Sequence, residues 1–154
     1  MQTPENADAP AADDGASFRY DVFISYRHRE PDKSWVRKTL VPVLRAGGLS
    51  VCLDADSFVL GSFVVEEMEH AVEQSRHTLV VLSPNYLASG FTEFERRMAQ
   101  FVESEKGRER CVFVLLAPCE TDLKAGARLW LEMTDEESYR VNLPRLMDEL
   151  RQRP

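Results

Sequence analysis

Short apolar runs alternate along this chain with segments whose apolar residues recur at helical spacing, and this alternation constrains the fold more than any other feature. A strand, a helix and another strand in that order favour a right-handed parallel crossover. The pattern therefore predicts an α/β, flavodoxin-like three-layer αβα fold, with helices on both faces of a parallel sheet of about five strands in the order 2-1-3-4-5. The predicted strands are residues 19–26, 49–54, 78–82, 111–118 and 129–133.

A few residues set the predicted ends of the helices. Asp32 is suited to cap a first helix, which Gly47 and Gly48 then stop. Pro144 is tolerable only in the first turn of a terminal helix, because a proline deeper in a helix removes a backbone hydrogen bond. The other predicted helices close at Ser75–His77, span about residues 92–106, and cover residues 141–150 at the end of the chain.

Residues 1–17 differ in composition from the rest of the chain. They are rich in Ala, Asp and Pro, lack a periodic apolar pattern, and carry four acidic and no basic residues. We therefore expect a disordered leader or linker, followed by one domain over residues 18–154. The formal net charge is −7, and without the four leader acids it is −3. A mildly acidic domain with no basic stripe argues against a nucleic-acid partner.

The cysteines and the apolar runs bear on the location of the protein. Cys52, Cys111 and Cys119 lack metal-ligand spacing, and the first two fall in predicted strands, where a free cysteine behaves as a small hydrophobe. Free cysteines of this kind favour a reducing, cytoplasmic compartment. No apolar run approaches the ~20 residues that a membrane-spanning helix needs. We therefore expect neither a membrane partner nor a metal site.

The stretch from Ser75 to Glu95 holds the main candidate for chemistry. Its apolar run, residues 78–82, is the predicted centre of the sheet, and the chain then turns at Ser83 and reaches Glu95 near the start of a helix. Ligands of open α/β sheets bind beyond the carboxyl ends of the strands, which is where Glu95 is expected. Thr92 and Glu95 also fit the Ser/Thr-x-x-Glu capping box, so a purely structural role for this carboxylate stays open.

Three boxes in the sequence resemble those of the TIR domain, the Toll/interleukin-1 receptor homology family. YDVFISYRH at residues 20–28 resembles the first-strand box of that family. DADSFVLGSF at 54–63 resembles its second strand and BB loop, and SRHTLVVLSPNYLASGFTEFE at 75–95 resembles its third strand and the start of its third helix. The resemblance covers about residues 18–152 and implies the same flavodoxin-like fold.

Function divides within this family, since some members are adaptors and others, including bacterial-type members, cleave NAD. In the enzymes a glutamate in a Trp-x-x-x-Glu pattern carries the activity, and the matching positions here are Phe91 and Glu95. Nicotinamide leaves NAD as a neutral molecule, so the barrier lies in the developing ribosyl cation. One positioned carboxylate can stabilise that cation without a metal.

The resemblance also assigns roles at the end of the first strand. It places Arg27 at the mouth of the nucleotide pocket, where a guanidinium can pair with the NAD diphosphate; an exposed loop arginine is the alternative. Ser25 and Tyr26 end the same strand and could line this pocket. For Tyr26, simple packing in the core is the alternative interpretation.

The loop after the second strand carries further candidates for the same pocket. Asp54 is expected beside it, with a turn or capping carboxylate as the alternative. Gly61 gives the BB loop its bend, and Phe63 resembles part of the nicotinamide-side wall, with core burial as the alternative. An apolar loop tip is costly to leave in water, so we expect it to contact a partner or to pack inward. The residues of this tip are Phe58, Val59 and Leu60.

The resemblance thus implies a TIR-domain NAD+ nucleosidase that gives nicotinamide and ADP-ribose or a cyclic ADP-ribose, in immune or cell-death signalling. NAD+ is the substrate, and no cofactor is expected. TIR enzymes commonly complete their site with the BB loop of a neighbouring copy, so self-association is expected, as is a sensor module fused to or paired with the domain. The alternative is a non-enzymatic TIR–TIR interaction module that recruits signalling partners.

Overall fold

A five-stranded parallel sheet forms the centre of the computed structural model, which describes residues 18–53, 70–88, 100–101, 104–119 and 129–152. The strand order is β2-β1-β3-β4-β5, and every neighbouring pair is parallel. The predicted fold class and strand order are therefore confirmed. The strands are β1 (Tyr20–Ser25), β2 (Val51–Cys52), β3 (Ser75–Leu82), β4 (Cys111–Leu115) and β5 (Leu129–Glu132).

Five described helical segments accompany the sheet, in addition to the helical residues 100–101. The segment α1 comprises the consecutive stretches Asp32–Ser34, Trp35–Leu40 and Val41–Ala46, of which the middle one is π-helical. The others are α2 (residues 70–74), α3 (Pro84–Ala88), α4 (Glu105–Arg110) and α5 (Glu136–Arg151). None of the described helices combines the length and the apolar character that a membrane span requires.

Successive residues of the strands point to opposite faces, so the sheet has a core on each side. One core joins the sheet to α1 and α5, and the other joins it to α2 and α3. In β1, for example, Val22 and Ile24 face the first core while Phe23 faces the second, and all three are at most 1% exposed. Burial on both faces explains why the central strands read as nearly continuous apolar runs.

The first helix differs from its prediction at one end and agrees at the other. Pro31, and not Asp32, occupies the N-cap position, without a side-chain cap; Asp32 is the first helical residue and is buried. The predicted cap is therefore wrong, because the Asp32 carboxylate is bound by residues that follow β3. The helix stops at Gly47 as predicted, and Gly48 takes a φ of +93° that favours glycine.

The third strand begins three residues earlier than predicted. Ser75, Arg76 and His77 were expected to close a helix, whereas they form the start of β3 and pair with β1, with Tyr20 opposite Ser75 and Val22 opposite His77. All three are at most 7% exposed. Polar residues suggested a helix end here, but tertiary pairing with β1 outweighs that local preference.

The predicted helix over residues 92–106 is interrupted within its described part. Residues 100–101 are helical, but Ser104 has an extended backbone and caps a separate helix, α4. The Gly107 backbone N–H donates to the Ser104 Oγ at 3.0 Å. A serine that competes for backbone donors in this way ends one helix and begins the next. Residues 92–99 lie outside the described part of the chain.

The terminal helix begins earlier than predicted, so the placement of Pro144 in its first turn is wrong. Asp135 caps α5 through a reciprocal capping box, in which the Ser138 N–H donates to the Asp135 Oδ1 at 2.7 Å and the Asp135 N–H donates to the Ser138 Oγ at 3.1 Å. This start leaves Pro144 inside the helix. Burial of Leu146 and Leu150 against the sheet offsets the hydrogen bond that proline cannot make.

The amino edge of the sheet, where β3 and β4 begin, is held by the side chain of Arg110. Its Nη2 donates to the carbonyl oxygens of Val72 at 3.0 Å, of Glu73 at 3.3 Å, and of Ser75. The guanidinium is 5.0 Å from the centre of the Phe18 ring. Burial lowers the pKa of Arg110 from its usual value. The arginine thus satisfies carbonyl groups at the end of α2, which the helix itself leaves without partners.

The three cysteines differ in burial, and we expect them to differ in reactivity. Cys52 and Cys111 are each 1% exposed, whereas Cys119 is half-buried. Burial raises the pKa of Cys111 from 9.0 to about 12. In the folded protein at pH 8, iodoacetamide should therefore modify Cys119 first and should reach Cys52 and Cys111 only in denaturant, as mass spectrometry of the alkylated peptides would measure.

The same shift predicts a pH dependence of stability. Between pH 9.0 and about 12 the unfolded chain loses the Cys111 proton while the folded chain keeps it. The contribution of this thiol to the free energy of unfolding is therefore present below pH 9.0 and is lost as the pH rises through that window. Fast alkylation of Cys111 in the folded protein at pH 8 would contradict both expectations.

Candidate functional site

The carboxyl edge of the sheet between β1 and β3 is the topological switch point of this fold. The chain leaves β1 towards β2 on one side, while β3 lies on the other side of β1. Crevices at such points are where open α/β sheets bind their ligands. The residues that follow β1, from Tyr26 to Asp32, and those that follow β3, from Ser83 to Tyr86, come together at this edge.

A pair of buried hydroxyl groups joins the ends of the two elements. Ser25, the last residue of β1, and Tyr86 of α3 lie with Oγ and OH 2.9 Å apart. Their side chains belong to residues that are 5% and 6% exposed. Ser25 was a predicted pocket residue, whereas Tyr86 was missed. The sequence feature that could have indicated Tyr86 is its position in the first turn after the most apolar strand.

Tyr26 lies on the other side of the sheet from Ser25. It is 7% exposed and packs in the core beneath α1. The Arg37 Nε of α1 donates to its hydroxyl oxygen at 2.8 Å, and its ring stacks on that of His28 with the two centroids 4.5 Å apart. Tyr26 therefore anchors the start of the loop after β1 to the first helix. Its role as a pocket residue stays a prediction.

Arg27 directly follows the anchored residues Ser25 and Tyr26 and is half-buried. Ser25 is bound on one side of the sheet and Tyr26 on the other, so the backbone that carries Arg27 is fixed at the switch point. The next basic residue, Arg29, is exposed, and its carbonyl oxygen accepts the Lys33 N–H at 2.9 Å. Arg27 is the described cation in the position that the resemblance assigns to the mouth of the pocket.

Two buried polar side chains and a half-buried one form a cluster beside these residues, here called the Asp32–Ser83–Asn85 cluster. Asp32 and Ser83 are each 1% exposed. The Ser83 hydroxyl donates to the Asp32 Oδ2, and the Asn85 Nδ2 donates to the Asp32 Oδ1 at 3.1 Å. Sequence reasoning missed this cluster because it gave Asp32 a local capping role and treated Ser83 as a turn residue.

The other predicted site residues lie outside the part of the chain that the structure describes, and their roles stay predictions. They are Asp54, Phe58, Val59, Leu60, Gly61, Phe63, Phe91 and Glu95. Within the described ranges, no group of three or more His, Cys, Asp or Glu residues is arranged to hold a metal ion. The described part of the edge thus supplies a cation, a hydroxyl pair and an anchored buried carboxylate.

Comparison with known proteins places this chain in a family. The family model of the TIR domain matches residues 22–147. Toll-like receptor 6 of Homo sapiens is 32% identical over 102 residues, which are 66% of this chain and 13% of that protein. Toll-like receptor 2 of Macaca mulatta is 28% identical over 135 residues, or 86% of this chain and 17% of that protein.

A solved structure gives the same result. The crystal structure of the TIR domain of the Toll-related receptor TRR-2 from Hydra magnipapillata superposes with a TM-score of 0.70 at 26% identity, covering 86% of this chain and 99% of that domain. The curated relatives are thus much longer proteins that contain a similar domain. Because the TIR domain model matches most of the length of this chain, the chain belongs to the TIR domain family.

Proposed function

We propose that this TIR domain cleaves the nicotinamide–ribose bond of NAD+, with Glu95 as the catalytic carboxylate. The observation that carries the proposal is the meeting of two segments at the switch point of the sheet. The segment after β1 holds Arg27 there, and the segment after β3 begins α3 there and continues towards Glu95. A cation from the first segment suits the diphosphate of NAD+, and a carboxylate from the second suits the ribose that carries nicotinamide.

The proposed reaction needs only one carboxylate. The nicotinamide ring of NAD+ carries the positive charge before bond cleavage and leaves as a neutral base, so no acid has to protonate it. The positive charge passes to the ribose, and a fixed anion stabilises the resulting oxocarbenium-like transition state. Capture of the ribosyl cation by water gives ADP-ribose, and capture by an adenine nitrogen gives a cyclic product.

Arg27 is the proposed partner of the diphosphate, since a guanidinium binds phosphate oxygens through two parallel hydrogen bonds. Asp54, Gly61, Phe63 and Phe91 are the remaining proposed wall residues, as the family resemblance assigns them. The Ser25 and Tyr86 hydroxyl groups are bonded to each other and buried. They support the wall beside Arg27 by fixing α3 to the end of β1.

Replacing Arg27 with alanine is expected to raise the KM for NAD+ about tenfold, which corresponds to ~1.4 kcal/mol of lost binding, and to leave kcat largely unchanged. The reason is that a diphosphate contact stabilises the bound substrate and the transition state equally. Initial rates of nicotinamide release over a range of NAD+ concentrations would measure both constants.

Arg29→Ala is the matched control for this variant, because Arg29 is exposed and its described hydrogen bond uses only the backbone carbonyl. That control should retain the KM of the wild type. Equal KM values for the two alanine variants would remove Arg27 from the proposed site.

We also propose that activity depends on self-association through the loop tip formed by Phe58, Val59 and Leu60, in a signalling role like that implied by the receptor relatives. The test is to follow nicotinamide release from NAD+ at increasing concentrations of the protein. Activity per molecule should rise with concentration if a second copy completes the site. Activity per molecule that is independent of concentration would reject this dependence while leaving the cleavage itself in place.

The second candidate function is a non-enzymatic module that binds other TIR domains. It is favoured by the matched relatives, which are named as receptors, and by Phe91 in the position where the resembled enzymes carry Trp. Under this candidate no nicotinamide is released at any protein concentration. Glu95→Gln would then leave binding to a second TIR domain unchanged, as light scattering or a pull-down between tagged copies would show.

A further inference from the structure

We infer that the Asp32–Ser83–Asn85 cluster is a positioning device that fixes the Arg27 segment relative to the segment leading to Glu95. The inference rests on the proposed function, because these two segments are the ones that must act on one substrate. Its members touch no part of the proposed chemistry themselves. They act through the backbone segments that they join.

The carboxylate of Asp32, the amide nitrogen of Asn85 and the hydroxyl of Ser83 each have hydrogen-bond partners of the right kind. The two oxygens of Asp32 accept from Ser83 and from Asn85. Both hydrogens of the Asn85 amide are used, since Nδ2 also donates to the Glu30 carbonyl oxygen at 3.2 Å. The Ser83 Oγ donates to Asp32 and accepts the Tyr86 N–H at 3.1 Å. A network whose donors and acceptors are paired in this way around a buried carboxylate holds one arrangement and disfavours others.

The cluster joins backbone segments that are distant in sequence. Asp32 and Ser83 are separated by 51 residues, and Asp32 and Asn85 by 53. The pairing register of β1 with β3 runs as far as Ser25 and Val80. Past Ser25 and Val80, the described hydrogen bonds between the loop after β1 and the segment after β3 involve side chains. These side chains therefore set how the loop after β1 lies against α3.

A hydrogen bond between Tyr86 and Ser83 links the Asp32–Ser83–Asn85 cluster to the Ser25–Tyr86 hydroxyl pair, so the two form one connected network. Ser83 receives the Tyr86 N–H, while the Tyr86 hydroxyl lies 2.9 Å from the Ser25 Oγ. The first turn of α3 is therefore held at its backbone and at its side chain. The chain continues from this helix towards Glu95, and an error of about 1 Å in the placement of a reacting group can cost about 100-fold in rate.

A reversal of polarity tests the cluster. In Asp32→Asn, one carboxylate oxygen becomes an NH2 group, which then faces one of the two groups that now donate to Asp32, the Ser83 hydroxyl or the Asn85 amide. Asn85→Asp places a carboxylate against both the Asp32 carboxylate and the Glu30 carbonyl oxygen. Each single variant is expected to lower kcat for NAD+ cleavage by about 10- to 100-fold, with a smaller change in KM. The double variant Asp32→Asn/Asn85→Asp restores the bond between positions 32 and 85 with donor and acceptor exchanged.

The double variant should therefore be about tenfold more active than Asn85→Asp alone, although it carries an additional harmful change. Asp148→Asn is the control for the loss of a carboxylate, because Asp148 is exposed on α5 and should retain the wild-type rate. A thermal melting curve of each variant gives its folded fraction at the assay temperature, and rates are expressed per folded molecule. Single variants that melt at lower temperature but keep the wild-type kcat would overturn the inference.

A second measurement separates this inference from the proposed function. Hydrogen exchange at the Tyr86 amide, read by NMR in the full chain, should be faster in both single variants and slower again in the double variant. If the wild type releases no nicotinamide, the proposed function fails, and the exchange rates alone decide whether the cluster fixes α3. Unchanged exchange at Tyr86 in the single variants would overturn the positioning role whatever the activity of the wild type.

Discussion

Replacing Glu95 with glutamine is expected to reduce nicotinamide release from NAD+ by at least about 100-fold. Glutamine keeps the size and the hydrogen-bonding reach of glutamate but removes the negative charge that stabilises a ribosyl cation. It also fills the last position of a capping box as glutamate does, so the start of the following helix should keep its stability. The variant therefore separates the two roles that the sequence leaves open for this residue.

Glu93→Gln is the matched control, because it removes the same charge two positions away in the same segment. It should retain the wild-type rate of nicotinamide release, and both glutamine variants should melt close to the wild type. If Glu95→Gln keeps full activity, the catalytic assignment is wrong. If it loses stability as well as activity, the capping role accounts for part of the loss.

Replacing Arg110 with methionine is expected to lower the free energy of unfolding by about 3 kcal/mol. Methionine keeps most of the buried side-chain volume but donates no hydrogen bond. The carbonyl oxygens of Val72, Glu73 and Ser75 would then lose the guanidinium that now binds them inside the protein. Each buried carbonyl left without a donor costs roughly 1–3 kcal/mol.

Urea unfolding followed by circular dichroism would measure this loss, with Arg140→Met as the control on the exposed face of α5. The control should change the free energy of unfolding by less than about 0.5 kcal/mol. Arg110 lies at the amino edge of the sheet, away from the candidate site, so the folded fraction of Arg110→Met should keep its KM for NAD+. A loss as small as that of the control would mean that water replaces the guanidinium.

The fold could be predicted from the sequence because it depends on hydrophobic periodicity. Apolar runs such as residues 78–82 and 111–115 are buried on both faces of the sheet, and their alternation with helical spacing specifies the order of the elements. One error falls where polar residues play a tertiary role, since Ser75–His77 pair with β1. Another is local: a capping box between Asp135 and Ser138 starts α5 early enough to enclose Pro144.

The candidate site was only partly predictable, for a related reason. Position at the end of a predicted strand drew attention to Ser25, and the family resemblance assigned Arg27 beside it. Nothing local in the sequence indicates that Asp32 binds side chains more than 50 residues away, because a bond of that kind depends on the finished packing of β1 against β3. Sequence patterns report the local environment of a residue, and they assigned Asp32 a local capping role.

The most direct test of the account is the incubation of the purified chain with NAD+, with free nicotinamide and the adenine-containing product separated from the unreacted dinucleotide. Glu95→Ala is assayed in parallel at the same series of protein concentrations. We expect the wild type to release nicotinamide together with an equal amount of ADP-ribose or its cyclic form, and Glu95→Ala to release none above background. No release by the wild type at any concentration, or equal release by both proteins, would contradict it.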